Sequence, residues 1–277
     1  MSFLKKIFNK NKEGKTNAEQ KIVDKPSNSY YVPTLDKSQS ENLSLNLKKE
    51  ESLKQLNLRK EMILSLCLEK KELTDLTARV AIVLDFSYSM DKLYRVGKVQ
   101  KLIDRLLPLA MQFDDNKEME IWLFSDGYYR LKDISLNNYY EYIKNERLLS
   151  KYKMGGTAYA PVISDVVKKY TREEPSNLPT LTLFITDGDN FSSDKFHTTQ
   201  EIVNASKHTI FWQFVGIGNS SFDYLEELDE MTGRYIDNAN FFSVNDLESI
   251  SDEELYNRLL AEYPVWIKEA KDKKILK

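Results

Sequence analysis

RVAIVLDFSYSM, residues 79–90, decides the fold. Its first half is a short, unbroken apolar run rich in β-branched residues. That is the pattern of a strand buried on both faces, and such strands belong to parallel sheets covered by helices. Its second half is a carboxylate followed by two hydroxyls at alternate positions, Asp85, Ser87 and Ser89. A strand that hides both faces and then presents oxygens at its carboxyl end predicts the middle of an α/β sheet with a ligand site at its rim.

The flanking sequence repeats the alternation. VGKVQKLIDRLLPLAMQF (96–113) carries Val96, Val99, Leu102, Ile103, Leu106, Leu107 and Ala110 on one helical stripe. MEIWLFS (119–125) is the next strand, and YYRLKDI (128–134) adds an edge strand after a turn at Asp126-Gly127. YYEYIKNERLL (139–149) and APVISDVVKKY (160–170) read as helices, TLTLFIT (180–186) as a central strand, and DKFHTTQEIVNASKH (194–208) as its following helix. IFWQFVGIG (210–218), DYLEELDEM (223–231) and RYIDNANFFSV (234–244) continue as strand, helix and last strand. A helix opening on the capping box Ser251-Asp252-Glu253-Glu254 follows, with Pro264 interrupting its pattern. The fold class is α/β: a doubly wound, mostly parallel central sheet flanked by helices, with one antiparallel edge strand.

The remaining segments fall into an arm and two tails. Residues 1–42 hold eight Lys and five acidic residues among Asn, Ser and Gln, and predict a disordered polar tail. Within it, Phe3, Leu4, Ile7 and Phe8 share a helical face opposite lysines, as an interfacial membrane anchor would. The segment is barely two turns long, so a tail with a chance apolar cluster is the preferred reading. Residues 43–77 predict a lead-in arm, with a short strand at Leu43, Leu45 and Leu47 and a Leu/Lys/Glu-rich helix from about 49 to 71. A charged tail is expected over 266–277.

The totals narrow the chemistry. A formal charge of −3 over 277 residues gives no global attraction to nucleic acid. The paired tyrosines at 30–31, 128–129 and 139–140 lack a basic surround, so they predict packing rather than a base-stacking platform. One cysteine, Cys67, excludes an intramolecular disulfide and a cysteine-based zinc cluster. No signal peptide and no membrane-length apolar run is present, and a reducing, cytoplasmic setting is expected.

Polar and small residues gather where the strands end: Asp85, Ser87 and Ser89; Asp126 and Gly127; Gly155, Gly156 and Thr157; Asp187, Gly188, Asp189 and Asn190; Asn219 and Ser220. Six of the nine glycines stand there, as tight turns and close approach to a ligand require. Carboxylates and hydroxyls without His or Cys form an all-oxygen set. Such a set suits Mg²⁺ first, then Mn²⁺ or Ca²⁺, rather than zinc. Hydroxyl ligands are neutral, so a cation held this way stays under-neutralised and seeks another anionic oxygen.

Asp85-x-Ser87-x-Ser89, then Thr157 after a double glycine, then Asp187 in Thr-Asp-Gly, resemble the metal-ion-dependent adhesion site of von Willebrand factor A domains over residues 78–265. The resemblance implies that the serines and threonine ligate the metal directly or through water. It further implies that Asp85 and Asp187 complete the inner and outer shells, and that an acidic side chain of a protein partner takes the open position. Asp126, Gly156 and Asp189 are candidates for outer support. FWQFVGIGNSSFDYLEELD, NANFF and SDEELYNRLLAEYPVWI are similar to the cytoplasmic A domains of bacterial tellurium-resistance and stress proteins, and to those of copines. That implies an intracellular binding module in a stress or tellurium-resistance type system; a copine-like membrane recruiter is the alternative. Phe86 and Tyr88 depart from the small residues usual inside the motif, which bears on specificity.

Enzymes are the rival class. A haloacid-dehalogenase-type phosphatase needs a second acid two residues after Asp85, where Ser87 stands. A Toprim-like nuclease would use Asp187-Gly188-Asp189 but needs a Glu where Asp85 stands. No serine–base pair is evident, His197 and His208 lie away from the strand ends, and two-metal catalysis needs more carboxylates. Binding is therefore favoured over catalysis.

Overall fold

The computed structural model describes residues 37–277. The amphipathic segment at residues 3–8 and most of the expected tail lie outside the described residues. Six strands form one sheet in the order β3-β2-β1-β4-β5-β6. They are β1 (Arg79–Asp85), β2 (Glu120–Phe124), β3 (Tyr128–Arg130), β4 (Thr180–Thr186), β5 (Ile210–Ile217) and β6 (Ala239–Val244). All neighbours pair in parallel except β2 and β3, which run antiparallel through Trp122–Arg130, Leu123–Tyr129 and Phe124–Tyr128. The expected sheet and its antiparallel edge are both present.

Alternation along each central strand builds two cores. Val80, Ile82 and Leu84 of β1 and Leu181, Leu183 and Ile185 of β4 face one layer. That layer holds α3 (Lys98–Phe113), α9 (Asp252–Leu259) and α10 (Tyr263–Asp272). Ala81, Val83, Phe184, Trp212 and Phe214 face the other, packed by α6 (Ala160–Lys168), α7 (Ser192–Ala205) and α8 (Asp223–Glu230). Both faces of β1, β4 and β5 are buried, which is why their sequences read as continuous apolar runs.

Three expectations need correction. First, Leu43, Leu45 and Leu47 are not a strand: they lie inside α1 (Lys37–Glu69) and are 50%, 38% and 56% exposed. The helical tail-end from residue 37 likewise replaces disorder there. The buried positions of α1 are Leu56, Ile63, Leu66 and Cys67, a helical spacing that the upstream leucines do not share. Second, 139–149 is not one helix. It divides into α4 (Tyr142–Asn145) and α5 (Leu148–Lys151), with Glu141 and Arg147 in left-handed conformation at φ 51° and 55°. Third, the charged tail expected from residue 266 is the body of α10. Pro264 occupies its first turn, where a missing N–H leaves no bond unmade. Trp266, Ile267 and Ala270 are buried, and the Trp266 ring lies 5.6 Å from that of Phe211.

A half-buried ion network fastens the α1 arm. Arg105 of α3 donates from Nε to Asp252 Oδ1 at 2.5 Å and from its guanidinium to the carbonyls of Leu247 and Ile250. Arg59 of α1 donates to the other Asp252 oxygen at 2.7 Å. One carboxylate thus joins the arm, α3 and the start of α9. Ser251 caps α9 by accepting from the Glu254 amide at 3.1 Å, as the capping box predicts.

Not every buried carboxylate is so well served. At the end of α8, burial pushes the Asp229 carboxyl up from 3.8 to about 6, and Glu262 adds to the shift against a hydrogen bond from the Phe241 amide. Between about pH 4 and 6 the folded chain holds this proton while the unfolded chain has released it, so stability falls as pH rises through that window. Asp229→Asn mimics the protonated form. Urea unfolding is expected to show a gain of roughly 1 kcal/mol at about pH 7.5 and none near pH 4; an equal gain at both pH values would rule the titration out as its cause.

Candidate functional site

The carboxyl ends of β1 and β4 adjoin where the strand order reverses, the place at which doubly wound sheets bind ligands. β1 ends on Asp85, which has no solvent exposure. The Ser87 amide donates to its Oδ1 at 2.7 Å and the Thr186 hydroxyl, at the end of β4, to its Oδ2 at 2.6 Å. The Tyr94 hydroxyl donates to the Asp85 carbonyl at 2.9 Å, and the Tyr94 ring packs edge-on to Phe86 with centroids 5.0 Å apart. The first carboxylate is therefore fixed from three directions.

Ser87 and Ser89 continue the oxygen set. Their hydroxyls are 3.0 Å apart, and Ser89 Oγ donates to Asp187 Oδ1 at 2.7 Å. Asp85, Ser87, Ser89 and Asp187 are thus drawn into one hydrogen-bonded cluster across two strand ends. Thr157 arrives from a third direction. An isolated parallel bridge joins Ser87 to Gly155, with the Tyr88 amide donating to the Gly155 carbonyl at 3.0 Å. The half-buried Thr157 follows, and its carbonyl accepts from the Phe191 amide at 2.9 Å. Its hydroxyl makes no hydrogen bond among the described residues.

The double glycine is required by close approach. Asp126 Oδ1 accepts from the Gly156 amide at 2.9 Å. A Cβ on Gly155 would stand 3.0 Å from Asp126 Cγ, and one on Gly156 2.7 Å from Asp126 Oδ1 and 2.8 Å from Phe191 Cε2. Asp126 therefore braces the loop that carries Thr157. Asp189 is turned to other work: its Oδ2 accepts from Lys195 Nζ at 2.9 Å and from the Tyr224 amide at 3.4 Å, tying the β4 loop to α7 and α8.

Several supporting residues were not legible in sequence. Thr186 and Tyr94 hold Asp85, and Tyr159 donates to Thr186 Oγ1 at 3.2 Å and to the Gly188 carbonyl. Asp194 caps α6 by accepting from the Tyr159 and Ala160 amides at 2.6 and 3.2 Å, and also binds Asn190 and Thr198. Only Thr186, beside Asp187 at a strand end, offered a signal; the others reach in from distant elements.

Two carboxylates at this strand edge are raised by burial. Burial pushes the Asp85 carboxyl up to about 6, opposed by the Ser87 and Thr186 hydrogen bonds. Burial also raises Asp187, opposed by Ser89. Among the described residues, neither carboxylate has a Lys, Arg or His ion-pair partner. Two anionic groups joined through hydroxyls and short of positive charge form a donor set that fits a hard divalent cation: carboxylate and hydroxyl oxygens, no nitrogen and no sulfur. Tyr88 and Phe191, 74% and 48% exposed, stand on either side of the double glycine.

Gly156→Ala must displace the Phe191 ring or the Asp126 carboxylate. A loss of roughly 1–3 kcal/mol is expected in chemical denaturation, whereas Gly127→Ala, whose Cβ meets nothing within 4 Å, is expected to change little. Equal effects of the two substitutions would mean that the close approach is not a constraint.

The family model described as the von Willebrand factor A domain found at the TerF C terminus matches residues 77–276. The Bacillus subtilis (strain 168) protein YcbR is 44% identical over 225 residues, covering 80% of this chain and 90% of YcbR. Among solved structures, mussel byssus proximal thread matrix protein 1 with a zinc-occupied MIDAS motif is 17% identical at a TM-score of 0.48, covering 67% of this chain and 46% of that one. The von Willebrand factor type A protein from Catenulispora acidiphila is 14% identical at a TM-score of 0.46, covering 69% and 42%. The chain thus spans less than half the length of these two solved proteins. It belongs to the von Willebrand factor A domain family, in the branch found at the C terminus of TerF proteins.

Proposed function

We propose that Asp85, Ser87, Ser89, Thr157 and Asp187 hold a divalent cation, Mg²⁺ before Mn²⁺ or Ca²⁺, through which the chain grips an acidic side chain of a protein partner. Membership of this family supports an interaction module rather than an enzyme. The observation that carries the reading is a buried carboxylate, Asp85, and a half-buried one, Asp187, linked through Ser87 and Ser89 and without a cationic side chain among the described residues to balance them. When bound, the cation supplies a Lewis-acidic position for a carboxylate oxygen. Asp85 is held rigid by Ser87 and Thr186, so the chain's own part is to keep the oxygens in place before a metal arrives. Asp126, Gly156 and Asp189 act behind them, Asp126 by bracing the Thr157 loop and Asp189 by tethering the loop after β4.

Hydroxyl ligands bring no charge. A divalent ion against two carboxylates, both inclined by burial toward their neutral form, gains strongly from one more anionic oxygen. A partner Asp or Glu meets that need; a nucleic acid would need the surrounding basic surface that the −3 chain does not supply overall. The family branch supports a bacterial stress or tellurium-resistance setting for this interaction. A free, buried Cys67 supports a cytoplasmic site of action, as does the absence, among the described residues, of a helix able to cross a membrane.

Calorimetric titration of Mg²⁺, Mn²⁺ and Ca²⁺ into the chain and its Asp85→Ala and Asp187→Asn variants tests the reading. Saturable binding is expected in the parent, abolished by Asp85→Ala and weakened at least tenfold by Asp187→Asn, with circular dichroism unchanged. Phosphatase and nuclease turnover is expected from none of them. Parent-like metal binding by Asp85→Ala would overturn the assignment, and turnover that dies with Asp85 would replace it with a metal-dependent hydrolase.

A further inference from the structure

Beside the oxygen cluster lies a cavity of about 560 Å³ that the metal site does not use. One wall is α2 (Asp91–Arg95), which begins two residues after Ser89; the other is α5, which ends four residues before Gly155. The Ser87–Gly155 bridge ties these two loops together, so the walls converge on the proposed metal position. The floor is apolar, formed by Tyr94, Ile143 and Leu149, and the rim is cationic, formed by Arg95, Lys144 and Arg147. Glu141 is the one carboxylate in the lining.

The rim cations are available to a ligand. Arg95 pairs with Asp91 at 2.8 Å and Lys144 with Glu141 at 2.9 Å, but both are local, exposed pairs of the kind that contribute little. Arg147 is exposed and has no ion-pair partner among the described residues. The backbone around the cavity is unusual as well. Glu141 and Arg147, at φ 51° and 55°, hold left-handed conformations that residues with side chains adopt only where their surroundings over-determine them, and Gly97 at φ 79° lines the same cavity. Those two turns break the helix that the sequence of 139–149 favours, and Arg147 lines the same cavity as Arg95 of α2. Strain of this kind gathers at binding sites.

We propose that this cavity is a second contact for the same partner, and that the partner is an acidic segment rather than an isolated carboxylate. The proposal rests on the metal-site reading above. One acid of the segment reaches the metal, an apolar side chain follows onto Tyr94, Ile143 and Leu149, and further acids meet Arg95, Lys144 and Arg147. The reach agrees: α2 rises about 7 Å over its length, and an extended segment covers roughly 10–17 Å in three to five residues.

The test uses two fluorescein-labelled peptides with the full chain and Mg²⁺. The first carries one Glu, then a Leu, then a Glu–Glu pair within about five residues; the second replaces the pair with glutamines. Fluorescence anisotropy is expected to show Mg²⁺-dependent binding of the first, roughly three- to tenfold tighter than the second at low salt. Arg147→Asn with Lys144→Gln is expected to erase that difference while leaving calorimetric Mg²⁺ binding intact; Asn tolerates the left-handed backbone at 147. Intact Mg²⁺ binding with no preference between the peptides, or a preference that survives the double substitution, would overturn the cavity alone. Loss of Mg²⁺ binding by the parent would overturn the metal reading and this proposal with it.

Discussion

A carboxylate with no exposure to water stands at the carboxyl end of the central strand, and the surrounding structure is arranged to keep it there. Burying Asp85 is unfavourable unless its oxygens are satisfied. The Ser87 amide and the Thr186 hydroxyl satisfy both, which requires the chain to turn sharply after β1 and β4 to end level with it. Tyr94 holds the same residue's carbonyl, so α2 must return over the strand end. The loop at Gly155 must approach Ser87 closely enough for a backbone bridge, and that closeness excludes side chains at Gly155 and Gly156. Each local requirement follows from the one before it.

Away from this site, a half-buried and a buried carboxylate are met by cations. Asp252 is met by two arginines, and Asp165 by Arg130 together with the Trp122 indole. Arg130 holds Asp165 below the usual carboxylate range, with the Trp122 bond assisting. At Asp85 and Asp187 the donors are instead neutral, and burial raises both groups. Asp229 is also raised by burial, so what distinguishes Asp85 and Asp187 is that hydroxyls link two such carboxylates at adjacent strand ends. The shortage of positive charge there is what supports the proposed cation site.

Much of this was readable in advance, for reasons that can be traced. β1, β4 and β5 are buried on both faces and so appear as continuous apolar runs; β3 is announced by Asp126-Gly127 between two strands. That Asp85, Ser87, Ser89 and Asp187 would come together was legible because they stand at adjacent strand ends. What escaped depended on contacts distant in sequence. Leu43, Leu45 and Leu47 alternate like a strand, but the buried face of α1 is set further along by Leu56, Ile63 and Leu66. The residues 139–149 favour helix locally, and only the tertiary context places Glu141 and Arg147 in the left-handed region. Pro264 reads as a helix breaker and is a helix starter, a distinction that depends on where the first turn falls. Thr186, Tyr94 and Asp194 reach the site from strands and helices whose relative placement no local pattern encodes.

The composition of the oxygen set also decides between grip and catalysis. A hydrolase must generate a nucleophile and neutralise a leaving group, for which it recruits bases and multiple carboxylates. Here the groups nearest Asp85 are hydroxyls already engaged as donors: Thr186 to Asp85, Ser89 to Asp187, Tyr159 to Thr186. His197 is exposed on α7, and His208 lies beyond that helix at the opposite end of the sheet, before β5 begins. A cluster in which these donors are committed to orienting acceptors is held in place by its own hydrogen bonds. Rigidity with uncompensated negative charge suits the proposed metal-bridged grip on a partner carboxylate, and Tyr88 and Phe191, both exposed, lie near the same loops.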